Sequence, residues 1–430
     1  MRIASWGRLT ADEHTVLDAY SPAEIAGVLA PSRGPVLAYG MGRSYGDVCL
    51  NPGGQLVRMH GMARFLDFDP STGLLTCEAG VTLADISSTF VPRGWRLGVV
   101  PGTEQVTVGG AIANDVHGKS HHVHGAFSRQ VERFWLLRSD EGLVEVSREA
   151  TPELFAATVG GIGLTGIITA AVLRLIPVAS EWIDTETIPF EGVAEFERLS
   201  DDSAGWENTV SWIDCLSGRD VRGLFTRGNF ADVDSGPSAG RRLAVPMSPP
   251  LSAINTVSLK LFNNAYYAMG RRNAGRTVQH FREFFFPLDR ISDWIRIYGP
   301  RGFFQYQSVV PPAVAAEATQ EMLDAIRESG QGSFLAVLKR FGSVPSEGML
   351  SFPTEGTTIA LDFPNAGART LELFDRLDAI VLGAGGRLYM AKDARMSRSM
   401  FEAGYPRAQE FAAWRDPAMG SAMSRRLFGR

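Results

Sequence analysis

Four of the chain's seven histidines fall close together, at His117, His121, His122 and His124. An imidazole titrates near neutral pH, binds metals and moves protons, so the cluster reads three ways: metal site, acid–base site, or donors around a cofactor. The spacing lacks the H-E-x-x-H frame of zinc enzymes and has no cysteine pair beside it, so no metal is expected. Just upstream, Gly102, Gly109 and Gly110 in PGTEQVTVGGAIAND let a backbone approach a large ligand closely, because glycine has no side chain to hold it off. Between Pro101 and His124 the chain therefore combines close-approach glycines with proton-handling side chains.

A second glycine-rich stretch, GMGRSYGD, ends at Asp47 and follows the apolar run PVLAYG. Backbone amides in such a loop suit a phosphate. It is not the dinucleotide fingerprint, since no G-x-G-x-x-G opens a helix there. Gly160, Gly161, Gly163 and Gly166 form a third such turn, and GGRLYMAKDARMS sets Tyr389 and Lys392 just after a further glycine pair.

The surrounding elements have to position these groups. Ser21, with Pro22 behind it and Glu24 three residues on, predicts a helix start. PVLAYG, QLVRMH, FLDFDP and LLTCEAG read as strands, and DPSTG marks the turn between the last two. Leu83, Ile86 and Phe90 have helical spacing, closed by Gly94. VERFWLLRSD and LVEVS pair as a hairpin across Asp140–Gly142, and TPELF begins a helix before the long β-branched strand GIITAAVLRL. From about Ser180 strand-like runs alternate with helix-like ones. FFQYQSVVP and TTIALDFP alternate with period 2, which puts Gln305 and Gln307 on one face of a strand. DVDSGPSAGRRLAVPMSPP, from Asp232 to Pro250, reads as a mobile loop from its Pro, Gly and Ser content. The apolar and basic stretch from Gly240 to Arg272 reads as a cover for an apolar ligand or as a lid. The tail is helical and basic.

At 430 residues, with 45% hydrophobic and 21% charged residues, the chain predicts two or three lobes around ample cores. A net charge of −5 argues against nucleic-acid binding. Cys49, Cys77 and Cys215 are too few and too scattered for a disulfide framework. With neither a signal-like N-terminus nor an apolar run of about 20 residues, the expected location is the cytoplasm, with peripheral membrane contact left open.

Taken in order, GMGRSYGD, PGTEQVTVGGAIANDVHGKSHH, ATVGGIGLTGII, YGPRGFFQYQ with LDFP, and GGRLYMAKDAR resemble the vanillyl-alcohol-oxidase (PCMH-type) flavoproteins. Within that superfamily the wording is similar to the decaprenylphosphoryl-β-D-ribose 2′-oxidase branch, over essentially the whole chain. The resemblance implies an α+β fold: a two-lobed FAD-binding domain and a substrate (cap) domain whose antiparallel sheet is flanked by helices. The implied limits are 1–180 for the main FAD part, 181–386 for the substrate domain and 387–430 for the segment completing the FAD domain.

The resemblance also implies a site. FAD contacts fall on Ala38, Tyr39, Gly40, Met41, Gly42, Arg43, Ser44, Tyr45, Gly46, Asp47 and Val48. They continue at Gly102, Thr107, Val108, Gly109 and Gly110, then at His117, Gly118, Lys119 and Ser120, and end at Ile167 and Tyr389. Arg43 stands where many relatives carry a flavin-linked histidine, so the FAD is expected to be non-covalent. Substrate contacts fall on Lys119, Tyr298, Gln305, Gln307, Thr358, Ala360 and Lys392, and the catalytic candidates are Lys392, His117 and Tyr45. A structural ion pair from Lys392 to Asp393 or Asp362 is the competing reading. Ala360 replaces a cysteine of the best-known members and Thr358 an amide, which affects substrate fit rather than reaction type.

The implied reaction is oxidation of the 2′-hydroxyl of a polyprenyl-phosphoryl-β-D-ribose to the 2′-keto sugar. It is the first half of an epimerisation to the arabinose form, a precursor of cell-wall arabinan. A separate NAD(P)-dependent short-chain reductase would complete it. The alternatives are a soluble sugar or polyol oxidase using O₂ and a flavin-binding partner subunit without catalysis.

Overall fold

The computed structural model describes residues 1–29, 34–233, 243–245, 249, 252 and 254–429. Three sheets organise it. The smallest is parallel, with Gln55–Arg58 between Thr15–Asp18 and Val36–Tyr39. Its strand Val36–Tyr39 feeds directly into the loop beginning at Gly40. The Ser21 hydroxyl caps the helix Pro22–Val28 that precedes it, as the sequence predicts.

A five-stranded antiparallel sheet follows, in the order Gly142–Ser147, Val131–Arg138, Ile167–Arg174, Leu74–Glu78, Phe65–Asp69. Thr82 and Asp85 cap the helix Leu83–Phe90 reciprocally, and this helix buries Leu83, Ile86 and Phe90 against the same core. Gly94 ends the turn after it at φ 82°, a left-handed conformation that costs glycine nothing.

The largest sheet has eight antiparallel strands: Gly275–His280, Trp182–Glu191, Arg222–Phe230, Asn208–Asp214, Ala336–Phe341, Gly356–Pro364, Phe303–Val310 and Arg387–Leu388. Period-2 alternation divides its side chains cleanly. Ile213, Phe225, Tyr306, Leu338, Ile359 and Leu361 join the core formed with helices Val193–Asp202, Ala315–Ser329 and Ala368–Gly383. Their sequence neighbours Trp212, Leu224, Gln305, Val337 and Ala360 point the other way, into a cleft. Segregated helices over antiparallel sheets make the fold α+β, as expected.

The tail connects the sheets. Arg387–Leu388 pairs with Phe303–Val310, Met419 bridges Val36, and the helix Ala422–Phe428 packs on the turn Asp47–Cys49.

Most of the Asp232–Pro250 stretch, read from the sequence as a mobile loop, lies outside the described residues. The second half of the Gly240–Arg272 stretch is a regular helix, Thr256–Arg272, whose start is set by a reciprocal Asn255–Ser258 cap. It has no proline, unlike the segment before it, and its capping box and its Leu259, Asn263, Tyr267 buried stripe are helical.

Candidate active site

A cleft of 1060 Å³ runs between the glycine loops and the open face of the eight-stranded sheet. It exceeds the usual range for drug-sized ligands, about 300–1,000 Å³, and suits a long cofactor together with a substrate.

Its glycine-loop wall begins at Ala38, Gly40, Met41, Gly42, Arg43, Ser44 and Val48. Among the described residues no acceptor takes the amides of 40–44. Gly42 turns the loop at φ 61°, a left-handed conformation open to glycine. The Arg43 guanidinium lies 4.1 Å over the Trp6 ring and donates from Nε to Gln105 O at 3.3 Å. The amides of His117, Gly118 and Lys119 likewise have no acceptor among the described residues, and these three residues line the same cleft.

The stretch Thr107–Gly110 differs from expectation. Thr107 caps the helix Val108–Ala113. The amides of Val108, Gly109 and Gly110 donate to Val81 O (2.8 Å), Ala79 O (2.9 Å) and Thr107 Oγ1 (3.2 Å), so they hold the helix rather than a ligand. What the glycines provide is closeness. A Cβ on Gly109 would sit 3.0 Å from Ala79 Cβ, and one on Gly40 would collide with the Thr107 side chain, so the two loops meet without side chains between them. Gly102 borders the cleft with open space, and a Cβ on Gly110, which also borders it, would meet only Thr107 Oγ1 at 3.0 Å. The buried Asn114 Oδ1 at the helix end has no hydrogen-bond partner among the described residues, and Asn114 lines the cleft. Free amides, a side-chain-free approach and an unfilled acceptor fit an FAD.

Several other expected contacts point elsewhere. Tyr39 turns its hydroxyl back over Gly42, and Gly46 packs against the Asp393 carbonyl. Asp47 pairs with Arg426 at 2.8 Å, which anchors the tail. Val108 and Ile167 are core residues, while Gly166 and Ile168 beside Ile167 border the cleft. Ser120 donates to Gly98 O at 2.9 Å.

The four histidines diverge. His122 Nε2 faces Trp206 O at 2.7 Å, and His124 Nε2 faces Glu207 Oε1 at 2.8 Å. His121 packs 4.3 Å from the Phe341 ring, with neither nitrogen hydrogen-bonded among the described residues, and burial pushes it down to about 3. These three clamp the glycine-loop segment against the eight-stranded sheet and the residues leading into it. Only His117 reaches the cleft, where its Nε2 lies 3.0 Å from Gln307 Nε2 and its Nδ1 lies 3.4 Å from Lys339 Nζ. Burial, reinforced by Lys339, holds it well below the ordinary imidazole range. Among the described residues no group of three or more His, Cys, Asp or Glu is gathered as a metal would need.

Register assembles the opposite wall. Gln305 pairs with Asp362, and Gln307 with Ala360, across neighbouring strands. Gln305 Nε2 donates to Asp362 Oδ1 at 2.6 Å, whereas Asp362 Oδ2 is buried without a partner among the described residues. Lys392 Nζ stands 4.0 Å over the Tyr45 ring. Asp393 is committed to Arg426 at 2.9 Å and to the Met396 amide, so it is not the partner of Lys392. Burial pushes Lys392 down and Asp362 up, and their mutual attraction opposes both shifts.

Tyr298 and Thr358 lie behind this wall. Tyr298 stacks on Phe303 at 4.2 Å, its hydroxyl without a partner among the described residues, and Thr358 donates to Ser308 O at 2.8 Å. Tyr389 lines the cleft and donates to Asn114 O at 3.0 Å. Lys119 donates to the Phe284 carbonyl, and burial lowers it to about 7.

Sequence reasoning missed Lys339 and gave Asp362 only a structural part. Burial lowers Lys339 to about 8 and raises Asp362. In AVLKRF the alternation does carry a signal, since Lys339 shares a face with Val337 and Phe341 rather than with solvent.

Residues 16–147 match the family described as FAD binding domain. Over 99% of its length the chain is 36% identical to decaprenylphosphoryl-β-D-ribose oxidase of Mycolicibacterium smegmatis, covering 97% of that protein. It is 32% identical, over 81% of its length, to an uncharacterized protein in the mprA 5′ region of Streptomyces coelicolor, all of which is covered. A shorter match, 29% identical over 36% of each chain, is to mouse L-gulonolactone oxidase.

Proposed function

The chain belongs to the decaprenylphosphoryl-β-D-ribose oxidase family of FAD-binding oxidoreductases, and from that premise we propose that it oxidises the 2′-hydroxyl of a polyprenyl-phosphoryl-β-D-ribose to the 2′-keto sugar. The observation that carries the reading is Lys392, a cleft-facing amine over Tyr45 with Asp362 acting on it through space. Bound FAD supplies the acceptor for the hydride that leaves the sugar carbon.

The residues have to hold the cofactor, orient the alcohol and take up one proton. The amides of 40–44 and 117–119 hold the anionic part of FAD, and the side-chain-free contact between Gly40 and Thr107 lets it lie close. Gln305, Gln307 and Tyr45 orient hydroxyls from the sheet side. Asp362 acts on Lys392 through space, without an ion pair among the described residues, and the amine that burial favours is the basic atom placed to accept the hydroxyl proton. Lys119 and Lys339, close to neutrality without an anion beside them, gain charge when the substrate phosphate enters. His117, kept neutral, supports Gln307 rather than carrying the proton. In this reading residues 1–180 and 387–430 form the FAD domain and 181–386 the substrate domain. The keto product passes to a separate NAD(P)-dependent reductase, and the enzyme works in the cytoplasm against a membrane surface. No described helix is long and apolar enough to cross a membrane.

The test is anaerobic mixing of the holoenzyme with decaprenylphosphoryl-β-D-ribose, free ribose or alditols. Bleaching of the flavin by the lipid-linked sugar alone is expected. Equal or faster bleaching by free sugars would assign a soluble sugar oxidase, and no bleaching by any of them a non-catalytic flavin protein.

A further inference from the structure

The helix Thr256–Arg272 is buried only along Leu259, Asn263 and Tyr267. Its opposite face is apolar and open, with Val257 69%, Leu261 67% and Met269 57% exposed. At 100° per residue, Val257, Ala268, Leu261, Ala265, Met269 and Phe262 share one arc of about 140°, interrupted only by Ser258 in its first turn and Arg272 at its last residue. Soluble proteins rarely leave such an arc uncovered without a partner for it.

Charge identifies the partner. The helix contains Lys260, Arg271 and Arg272 and no acidic residue, in a chain whose net charge is −5. Lys260 and Arg271 lie along one edge of the apolar arc. At the other edge Tyr266 and Met269 enter the cleft wall, and Tyr266 packs 4.7 Å from Trp212. An apolar face with a basic border and no spanning length is the pattern of a helix lying in the plane of an anionic bilayer.

We propose that Thr256–Arg272 is an interfacial helix that docks the enzyme on an anionic phospholipid surface and turns the cleft mouth towards it. A lipid-linked sugar would then reach the cleft along the surface, with its prenyl chain never crossing water. The consequence for turnover rests on the lipid-linked substrate proposed above. The docking itself does not, and it is measured without substrate.

Flotation of the full-length, FAD-loaded protein with phosphatidylglycerol-rich vesicles and with pure phosphatidylcholine vesicles tests the docking. Wild type should float with the anionic vesicles and much more weakly with the neutral ones. Val257→Glu/Leu261→Glu, which alters no cleft residue, should bind at least tenfold more weakly, since each buried Leu or Val side chain contributes that order. Lys260→Glu/Arg271→Glu should lose about 25-fold or more, at about fivefold per basic residue. It also serves as a second variant should the first fold poorly, with flavin content and circular dichroism reporting the fold. Leu382→Glu, on the exposed part of another helix, should float like wild type. Bleaching by a short-chain, water-soluble phosphoryl-ribose should be unchanged in every variant. Wild type that ignores anionic vesicles, helix variants that float normally, or an equal loss in Leu382→Glu would each overturn the proposal. So would a wild-type dimer that Leu261→Glu dissociates while vesicle binding is absent, which would assign the face to a second copy.

Discussion

Gln307 and His117 set their Nε2 atoms 3.0 Å apart, at the seam between the eight-stranded sheet and the glycine loops. An amide nitrogen only donates, so with this amide orientation the His117 Nε2 accepts and its proton sits on Nδ1. Nδ1 lies 3.4 Å from Lys339 Nζ, which burial lowers only to about 8, and burial together with the Lys339 charge keeps the imidazole itself neutral.

His117 should accordingly stay neutral, as the Nδ1–H tautomer, well below the ordinary imidazole value of about 6.5. Long-range ¹H–¹⁵N correlation spectra of the FAD-loaded protein read both features. A His117 midpoint at or above the ordinary imidazole value would contradict the arrangement.

The flavin should be non-covalent. Arg43 is held between Trp6 and the Gln105 carbonyl and offers no imidazole for attachment. Acid precipitation should leave the yellow colour in the supernatant, and a yellow washed pellet would overturn this.

Gly110→Val tests the cradle. A Cβ there meets only Thr107 Oγ1, at 3.0 Å, and otherwise projects into the cleft. The variant should fold with nearly wild-type thermal stability as apoprotein and lose most of its FAD. Normal flavin content would show that Gly110 does not face the cofactor.

Local signals carried much of this account. Alternation in FFQYQSVVP places Gln305 and Gln307 together, and the caps at Ser21 and Leu83–Phe90 are legible in the chain. What needed the structure was pairing at a distance. Gln305 meets Asp362 only because Phe303–Val310 and Gly356–Pro364 pair in that register. Lys339 enters the site only because it pairs with Thr358. No periodicity reveals that Ala79 and Val81 take the amides expected to hold phosphate. The helix Thr256–Arg272 was obscured by the Pro-rich composition just before it, although Asn255 and Ser258 mark its start.

Stability should depend on pH with a definite sign. In the FAD-free protein Lys119 and Lys339 are lowered to about 7 and about 8, while unfolded lysines stay protonated to about pH 10.4. Between these values the unfolded chain binds more protons, so stability rises with pH. Above about pH 9 the sign reverses, because unfolded thiols ionise while Cys49, Cys77 and Cys215, pushed up to about 12 by burial, stay protonated. The apoprotein Tm should climb from about pH 7 to about 8.5 and fall beyond about 9.5. A steady fall from pH 7 would show that these lysines are not desolvated.

The central claim is that Lys392, with Asp362, accepts the proton of the reacting hydroxyl. Anaerobic single-turnover bleaching of the flavin by decaprenylphosphoryl-β-D-ribose reads that step without reoxidation. Positioned proton-transfer groups contribute about 10²–10⁴-fold. Lys392→Ala should bleach slower by that factor, with kcat and kcat/KM falling together, while FAD content and Tm change little. Wild-type bleaching in a folded, fully flavinated Lys392→Ala variant would remove Lys392 from the chemistry and contradict the account.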